Sequence, residues 1–317
     1  MGEAAPLLGT PGAPVPQGSQ AQWFTGAGGA RLRAAMFPRP GPAVGSVVVS
    51  PGRTEPIEKY FEVAARLTAR GFVVVVHDWR GHGLSHRPLA GSILGHALGY
   101  HDFLADFAAL LAAYEARLPR PWIALGHSMG GCLTFLALAM GEQRFSGAIL
   151  SAPMLGLQLG SVPTPIAQAA AAILTGLGLG SGAAVRDPAA PTPFEANILT
   201  HDRARYERNL AQIAAHPELT VGAPTWGWLD FAFGATKELA RGPGAPRITA
   251  PLTVVAAGEE HLVDNAASMR VTDRVPGALF EVIPGAYHEL LQETDAIQDQ
   301  FWGRFDALAE RAGVAAA

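Results

Sequence analysis

The sequence predicts an α/β protein that has a mostly parallel central sheet, helices on both faces and a helical insertion over one edge. Short, continuous apolar runs recur along the chain, and helical stretches alternate with them. Continuous apolar runs of this length are typical of strands buried on both faces, as in parallel sheets. The stretch between residues 150 and 252 contains no such run, which predicts the insertion.

The N-terminal region differs in character from the rest of the chain. Residues 1–20 are rich in Pro, Gly and Ala without periodicity, which favours a flexible arm. Residues 22–25 and 31–37 flank the sequence Gly-Ala-Gly-Gly, and this pattern favours an antiparallel hairpin. Six apolar runs then predict the main strands, at residues 46–49, 72–76, 122–125, 148–150, 252–256 and 279–283.

The predicted helices fall between these strands. The last one carries Ile297, Phe301, Phe305 and Leu308 on one apolar face. We expect an α/β core formed by residues 21–151 and 246–317, with residues 152–245 as a cap inserted before the penultimate strand. The helices expected in the core are residues 57–69, 98–117, 129–140, 266–275 and 289–311.

The insertion has two parts of different composition. Residues 154–182 are rich in Leu, Ala, Gly and Ile, whereas residues 202–215 predict a polar helix. An insertion at the carboxyl edge of a sheet usually covers the site beneath it. The apolar part is either an ordinary packed helix or a lid that contacts an acyl chain, and the sequence leaves both interpretations open.

Composition and charge exclude several classes of protein. Hydrophobic residues make up 49% of the chain and charged residues 16%, so a large core is expected. The net charge of −4 and the absence of a basic stripe argue against a nucleic-acid partner. A single cysteine excludes an intrachain disulfide. The sequence shows neither a secretory signal nor a bilayer-spanning stretch, so we expect a cytoplasmic protein with room for peripheral membrane contact through the cap; the oligomeric state stays open.

A candidate nucleophile follows the third main strand. Residues 126–131 read Gly-His-Ser-Met-Gly-Gly and stand between an apolar strand and an apolar helix. This context predicts a sharp strand-to-helix turn that exposes the Oγ atom of Ser128, with the N–H of Met129 as an oxyanion donor. The alternative is a glycine-rich turn that carries an ordinary surface serine.

A base and an acid are expected on later loops. His288 follows the final strand and is the candidate base, the alternative being a surface or helix-capping histidine. The loop after the preceding strand offers Glu260 and Asp264. Asp264 opens a helix, where aspartate often serves only as a cap, so Glu260 is the preferred acid and Asp264 the alternative.

The loop after the first parallel strand is expected to supply the second oxyanion donor. Gly52 allows a close backbone approach there, and the N–H of Arg53 is the candidate donor. Glu55 either pins this loop or opens the next helix. Residues 77–86 are rich in histidine, but their spacing fits no standard ligand pattern, so neither a metal nor a cofactor is expected.

Three motifs resemble the α/β-hydrolase superfamily, in its monoacylglycerol lipase and lysophospholipase branch. They are residues 126–131, residues 78–85 (Asp-x-Arg-Gly-His-Gly-x-Ser) and residues 285–288 (Gly-Ala-Tyr-His). The resemblance covers residues 22–311. It implies a serine esterase that cleaves a single-chain lipid ester, a lysophospholipid or a monoacylglycerol, through an acyl-enzyme. The alternatives are a short-chain esterase, a peptidase, an acyltransferase or a non-catalytic ligand-binding member, and the last would normally lack a triad residue.

Two departures from the family pattern are informative. Monoacylglycerol lipases usually carry His-Gly in the oxyanion loop, whereas residues 51–55 here read Pro-Gly-Arg-Thr-Glu, which is similar to bacterial lysophospholipases. Residues 199–201 (Leu-Thr-His) in the cap also resemble that group. Most superfamily members have aspartate where Glu260 stands, so glutamate at this position is a second departure from the family pattern.

Overall fold

The computed structural model describes residues 2–160, 162–187 and 191–314. Residue 161 and residues 188–190, which belong to the predicted cap, lie outside the described residues. So do residue 1 of the predicted arm and residues 315–317 at the end of the predicted core.

The described residues contain a nine-stranded sheet in the order β1-β2-β3-β5-β4-β6-β7-β8-β9. The β1–β2, β2–β3 and β3–β5 pairings are antiparallel, while the pairings from β5 through β4, β6, β7 and β8 to β9 are all parallel. The predicted mostly parallel sheet is therefore confirmed. The strands are Ala4–Ala5, Gln20–Thr25, Arg31–Phe37, Gly45–Ser50, Phe72–His77, Trp122–His127, Gly147–Ser151, Leu252–Ala257 and Leu279–Ile283.

Helices cover both faces of this sheet. Helices α1 and α8 pack on one face, and α2, α3, α6 and α7 pack on the other. Side chains of successive strand residues point to opposite faces of the sheet. Val47 and Val49 therefore belong to the core beneath α1 and α8, while Val48 belongs to the core beneath the other four helices. The α-helices α1 to α8 are Phe61–Ala69, His101–Tyr114, Ser128–Ala139, Thr164–Gly176, Arg203–Ala215, Trp226–Arg241, Asn265–Thr272 and Asp295–Arg311.

The N-terminal segment differs from the expected flexible arm. Ala4–Ala5 pairs with β2, and Pro6 O accepts a hydrogen bond from the buried side chain of Arg33. Leu8 N donates to a carboxylate oxygen of Glu58, which is itself buried. The composition of this segment is typical of a flexible chain. Its backbone is nevertheless held by hydrogen bonds to the edge of β2 and to the buried side chains of Arg33 and Glu58.

Several boundaries differ for identifiable reasons. The last strand is an edge strand, and Leu279 and Val282 on it are 42% and 43% exposed, so the expectation of burial on both faces was wrong there. The helix expected from residue 98 begins at His101, because Gly99 has a φ of 78° that no helix accommodates. The helix expected from residue 289 begins at Asp295, after a separate turn at Leu290–Gln292.

In the part of the insertion that the structure describes, the α-helices α4 to α6 lie between β7 and the penultimate strand β8. The sequence predicted α5 but not α6. Helix α6 is capped by the Thr225 side chain and packs into the core, where the Phe231 and Phe103 rings lie 5.0 Å apart. Part of the expected cap thus belongs to the packing of the core. Among the described residues, no helix is both long enough and apolar enough to span a bilayer.

Candidate active site

Ser128 lies at the turn between β6 and α3, in a strained backbone conformation with a φ of 50°. The glycines around it are required by close backbone contacts. A Cβ on Gly126 would lie 2.7 Å from the Cα of Gly131, and a Cβ on Gly130 would lie 2.1 Å from the carbonyl oxygen of Ser50. The turn therefore holds the serine at the carboxyl edge of the sheet, as the strand–turn–helix pattern predicts.

The structure brings Ser128, His288 and Glu260 together. The Nε2 atom of His288 lies 3.0 Å from Ser128 Oγ, and its Nδ1 atom lies 2.8 Å from Glu260 Oε2. His288 is only 4% exposed, in the loop after β9. One imidazole can therefore take a proton from the serine while its other nitrogen donates to the carboxylate.

Backbone donors hold Glu260 in the loop after β8. Its Oε1 atom accepts hydrogen bonds from the N–H groups of His261, Leu262 and Val263, at 3.0, 2.8 and 3.3 Å. Burial alone would raise the pKa of Glu260, but the hydrogen bond and charge of His288 and these backbone donors outweigh it and lower that pKa. The carboxylate is thus kept ionised beside His288.

Asp264, the alternative acid, has a different local role. Its side chain accepts a hydrogen bond from the N–H of Ala267 at 3.0 Å and caps the N-terminus of α7. A carboxylate in this position satisfies one of the free donors at the start of the helix. Of the two candidates, Glu260 is the one that contacts His288.

The two oxyanion candidates, Arg53 and Met129, come from different segments of the chain, the loop after β4 and the start of α3. Met129 is the second residue of α3, so its N–H has no partner within the helix. Arg53 and Met129 line the same cavity as Ser128. Thr54 follows Arg53 with a φ of 65°, so backbone strain occurs in both segments that carry the candidate donors.

Glu55 pins the oxyanion loop rather than only opening a helix. Its Oε2 atom accepts hydrogen bonds from the N–H of Gly52 at 2.5 Å and from the hydroxyl of Tyr60 at 2.6 Å, and Lys59 donates to Oε1 at 2.7 Å. Burial would raise the pKa of Glu55, but the charge and hydrogen bond of Lys59 and the hydrogen bond of Tyr60 outweigh it and lower that pKa to about 2. A carboxylate that is ionised at neutral pH therefore fixes the turn that contains Arg53.

His127 is a site residue that sequence reasoning did not single out. Its Nδ1 atom lies 3.1 Å from Ser151 O, and its ring centroid lies 5.0 Å from that of His288. Burial lowers the pKa of His127 to about 4, so the ring is neutral at physiological pH and adds no charge beside His288. The feature of the sequence that could have identified His127 is its position between Gly126 and Ser128.

The histidine-rich loop after β5 supports the oxyanion loop. Asp78 accepts hydrogen bonds from Arg33 at 2.7 Å, from Leu84 N at 2.9 Å and from Ile57 N at 2.9 Å. The indole N–H of Trp79 donates to Pro51 O at 2.8 Å. Within the described ranges, no three His, Cys, Asp or Glu side chains are grouped as metal ligands would be. This loop instead braces the segment that contains Arg53.

A cavity of about 400 Å³ opens onto Ser128 and His288. Arg53 and Glu55 come from the oxyanion loop, and most of the remaining wall is apolar. The cap and the acid loop supply this apolar wall, which consists of Met154, Leu157, Leu159, Val185, Leu199, Pro224, Trp228, Leu229, Leu262 and Val263. A cavity of this size and character is suited to one small, largely apolar ligand.

Comparisons with known proteins agree with this arrangement. The family model described as "Serine aminopeptidase, S33" matches residues 41–295. Lysophospholipase L2 of Escherichia coli (strain K12) is 36% identical over 269 residues, which cover 80% of this chain and 76% of that protein. Monoacylglycerol lipase of Mycolicibacterium smegmatis is 29% identical over 282 residues, covering 86% and 91%.

Solved structures share the fold. A soluble variant of monoglyceride lipase from Saccharomyces cerevisiae, in complex with a substrate analog, superposes with a TM-score of 0.73 at 18% identity, covering 92% of this chain and 96% of that one. The monoacylglycerol lipase of Paleococcus ferrophilus gives a TM-score of 0.69 at 18% identity, covering 88% and 99%. The chain therefore belongs to the S33 family of α/β hydrolases, in the branch that includes lysophospholipase L2 and monoacylglycerol lipase.

Proposed function

We propose that this protein is a serine carboxylic-ester hydrolase that cleaves the acyl ester of a single-chain lipid, a lysophospholipid or a monoacylglycerol. The observation that carries the proposal is the hydrogen-bonded series Ser128–His288–Glu260 at the base of a mainly apolar cavity. The relatives named lysophospholipase L2 and monoacylglycerol lipase support the same substrate class.

In the first half of the reaction, Ser128 Oγ attacks the ester carbonyl carbon while His288 Nε2 takes the hydroxyl proton. The carbonyl oxygen becomes an oxyanion, and the N–H groups of Arg53 and Met129 stabilise it. The bond to the glycerol oxygen then breaks. His288 returns its proton to that oxygen, the alcohol leaves, and the acyl group stays on Ser128.

In the second half, water replaces the alcohol. His288 Nε2 removes a proton from the water as it attacks the acyl carbon, and the same two N–H groups hold the second oxyanion. The bond to Ser128 Oγ breaks, the serine regains its proton, and the fatty acid leaves. Glu260 keeps the Nδ1 proton of His288 in place throughout and stabilises the imidazolium form.

The lining of the cavity supports a substrate with an apolar acyl group. The acyl group would lie against the apolar wall formed by cap residues such as Leu157, Leu159 and Leu229, since burial of methylene groups there is favourable. Polar groups are concentrated on the oxyanion-loop side, where Glu55 and Glu289 line the cavity. The alcohol part of the substrate would lie on that side.

We also infer that the cap makes peripheral contact with a membrane through α4. Ile166, Ile173 and Leu177 recur along this helix and are 63%, 61% and 70% exposed. Residues 162–185 contain no charged side chain. An apolar helix face without basic residues favours insertion between lipids over electrostatic attraction, so binding to vesicles should depend little on salt.

The decisive experiment is product analysis by mass spectrometry on a panel of lysophospholipids, monoacylglycerols, short-chain esters and aminoacyl amides. We expect free fatty acid from the first two groups, and none when Ser128 is replaced by alanine. Cleavage confined to aminoacyl amides or to short esters would favour the peptidase or short-chain esterase alternative. Acyl transfer to added glycerol in place of hydrolysis would favour an acyltransferase.

A further inference from the structure

Glu293 is a fully buried carboxylate outside the proposed triad, and four hydrogen bonds converge on it. Its Oε1 atom accepts from His201 Nδ1 at 2.7 Å and from Tyr287 N at 2.8 Å. Its Oε2 atom accepts from His201 N at 3.0 Å and from Thr294 N at 3.1 Å. Each oxygen therefore serves two donors, and each is bonded to His201.

These donors connect the cap to the loop that carries the base. Tyr287 directly precedes His288, whereas His201 lies in the segment of the insertion that leads into α5. The His201 ring stacks on the Tyr287 ring, with 3.8 Å between centroids and 20° between planes. The Nε2 atom of His201 lies 3.9 Å from Glu259 Oε2, one residue before Glu260. His201 thus contacts both loops from which His288 and Glu260 project.

The neighbouring residues extend the same junction. Glu289 N donates to Leu199 O at 2.8 Å, and the hydroxyl of Thr200 donates to Gln292 O at 2.7 Å. The cap segment at residues 199–201 is therefore hydrogen-bonded to the base loop, which is the segment from residue 284 to residue 294 that carries His288. These hydrogen bonds lie immediately after His288 and around Glu293. A buried carboxylate is stable only while such donors surround it, so this junction has one preferred arrangement.

We propose that Glu293 and His201 are a positioning pair, which holds the Tyr287 backbone so that His288 Nε2 stays within hydrogen-bond reach of Ser128 Oγ. This inference rests on the proposed roles of Ser128 and His288. Because His201 belongs to the insertion, the placement of the cap fixes the base loop as well as the walls of the cavity. Proton transfer is sensitive to small displacements of the base, so loosening this pair slows the chemical step.

Two variants remove the pair in different ways. In Glu293→Gln, an NH₂ group replaces one of the two carboxylate oxygens. Each oxygen accepts two hydrogen bonds, and an NH₂ group cannot accept them, so two hydrogen bonds are lost in either orientation of the amide. In His201→Phe, the stacking on Tyr287 is kept while the donor to Glu293 is lost. His201→Asn is the conservative variant, because its amide nitrogen can take the place of Nδ1. Arg203→Gln is the matched control, since the ion pairs of Arg203 in the described part of the cap are with the exposed carboxylates of Glu195 and Glu207.

The variants are compared on a short, water-soluble ester, with active sites counted by fluorophosphonate titration. For Glu293→Gln and His201→Phe we expect kcat per titrated site to fall about 10- to 100-fold. We expect KM to change by less than about two-fold, because the cavity walls are untouched. His201→Asn should recover most of the kcat, and Arg203→Gln should match the wild type. The low-field proton resonance of the His288 Nδ1–H should weaken in the first two variants only.

The inference is overturned if Glu293→Gln and His201→Phe keep the wild-type kcat per titrated site. It is equally overturned if they merely lower the number of titratable sites, because that result would mean a role in folding alone. A wild-type protein that neither turns over the ester nor labels at Ser128 would overturn the proposed function itself. That outcome is recognised before any variant is made.

Discussion

Helices α4 and α5 of the cap are held in place by different kinds of contact. Helix α5 is tied to the core by charged and polar side chains: Arg205 and Arg208 pair with Glu62 of α1, and Gln212 donates to Leu8 O of the N-terminal segment. Helix α4 has no charged residue and packs through small side chains, with Ala167 and Ala171 against Phe233 of α6.

This difference shows which part of the cap is anchored to the core and which part presents an exposed apolar surface. On the α5 side, the ion pairs with Glu62 anchor the chain to α1, and the Glu293 junction anchors it to the loop that carries His288. On the α4 side, the large apolar side chains face outward. A single insertion thus combines an anchored half with a half whose exposed surface is suited to lipid.

The largest effect is expected at Ser128, in the cavity that cap residues help to line. Ser128→Ala should reduce kcat by about 10⁴-fold or more, since no other side chain supplies the nucleophile. Fluorophosphonate labelling should disappear while the circular dichroism spectrum and melting temperature stay near those of the wild type. Retained turnover in this variant would mean that the cavity lined by the cap does not hold the nucleophile.

A nearly equal effect is expected at Glu260. Glu260→Gln should lower kcat by about 10³- to 10⁴-fold, because an amide no longer stabilises the imidazolium form of His288. The matched control is Asp264→Ala on the same loop. It should cost about 1 kcal/mol of stability as a lost helix cap and leave kcat nearly unchanged. The reverse order of the two kcat values would identify Asp264 as the acid.

A moderate effect is expected on the α4 side of the comparison. Replacing Ile173 and Leu177 together by glutamate should weaken binding to zwitterionic vesicles by about ten-fold or more, because two apolar side chains no longer enter the lipid. Turnover of a soluble ester should not change. Glutamates at Met140 and Met269, which are also exposed but lie outside the cap, serve as the control. Equal binding by both double variants would contradict a membrane role for α4.

The smallest effect is expected on the anchored side. Burial alone would raise the pKa of Glu62, but hydrogen bonds and charge from Arg205 and Arg208 outweigh it and lower that pKa to about 2. A carboxylate whose folded pKa is lowered stabilises the protein above its unfolded pKa, and this contribution is lost as the pH falls from about 4.5 to about 2.

Glu62→Gln should therefore lower the free energy of unfolding by about 1–2 kcal/mol at pH 7 after allowance for partial exposure, and by less at pH 3. Urea unfolding at the two pH values measures the difference. Glu207→Gln, in an exposed pair on α5, should have little effect at either pH. A loss for Glu62→Gln that does not depend on pH would show that packing, rather than charge, anchors α5.

The sequence predicted best those features that depend on neighbouring residues. The turn at Ser128 follows from an apolar strand, spaced glycines and an apolar helix within about twenty residues, and it was predicted in place. Helix α6 was missed because Gly227 and Gly234 lower its intrinsic helix propensity. Its stability comes from packing, as in the contact between Phe231 and Phe103.

The choice between Glu260 and Asp264 shows the limit of a local pattern. Both carboxylates stand on one loop, and the helix-opening position of Asp264 favours Glu260 as the acid without showing which of the two carboxylates meets His288. The two carboxylates are distinguished by the pairing of β9 with β8, because this pairing brings the His288 loop to one side of the acid loop. Glu260 faces that side and Asp264 faces α7.

Local sequence was enough to predict the class of the sheet, the turn that presents Ser128 and the loops on which a base and an acid would lie, because these depend on residue preferences within short segments. Which side chains meet depends on how the whole chain folds. The pairing of Arg33 with Glu58 and Asp78, and of His201 with Glu293, joins segments that are distant in the chain. Such contacts require atoms to lie within about 3 Å of each other, and only the packing of the whole domain sets distances to that accuracy.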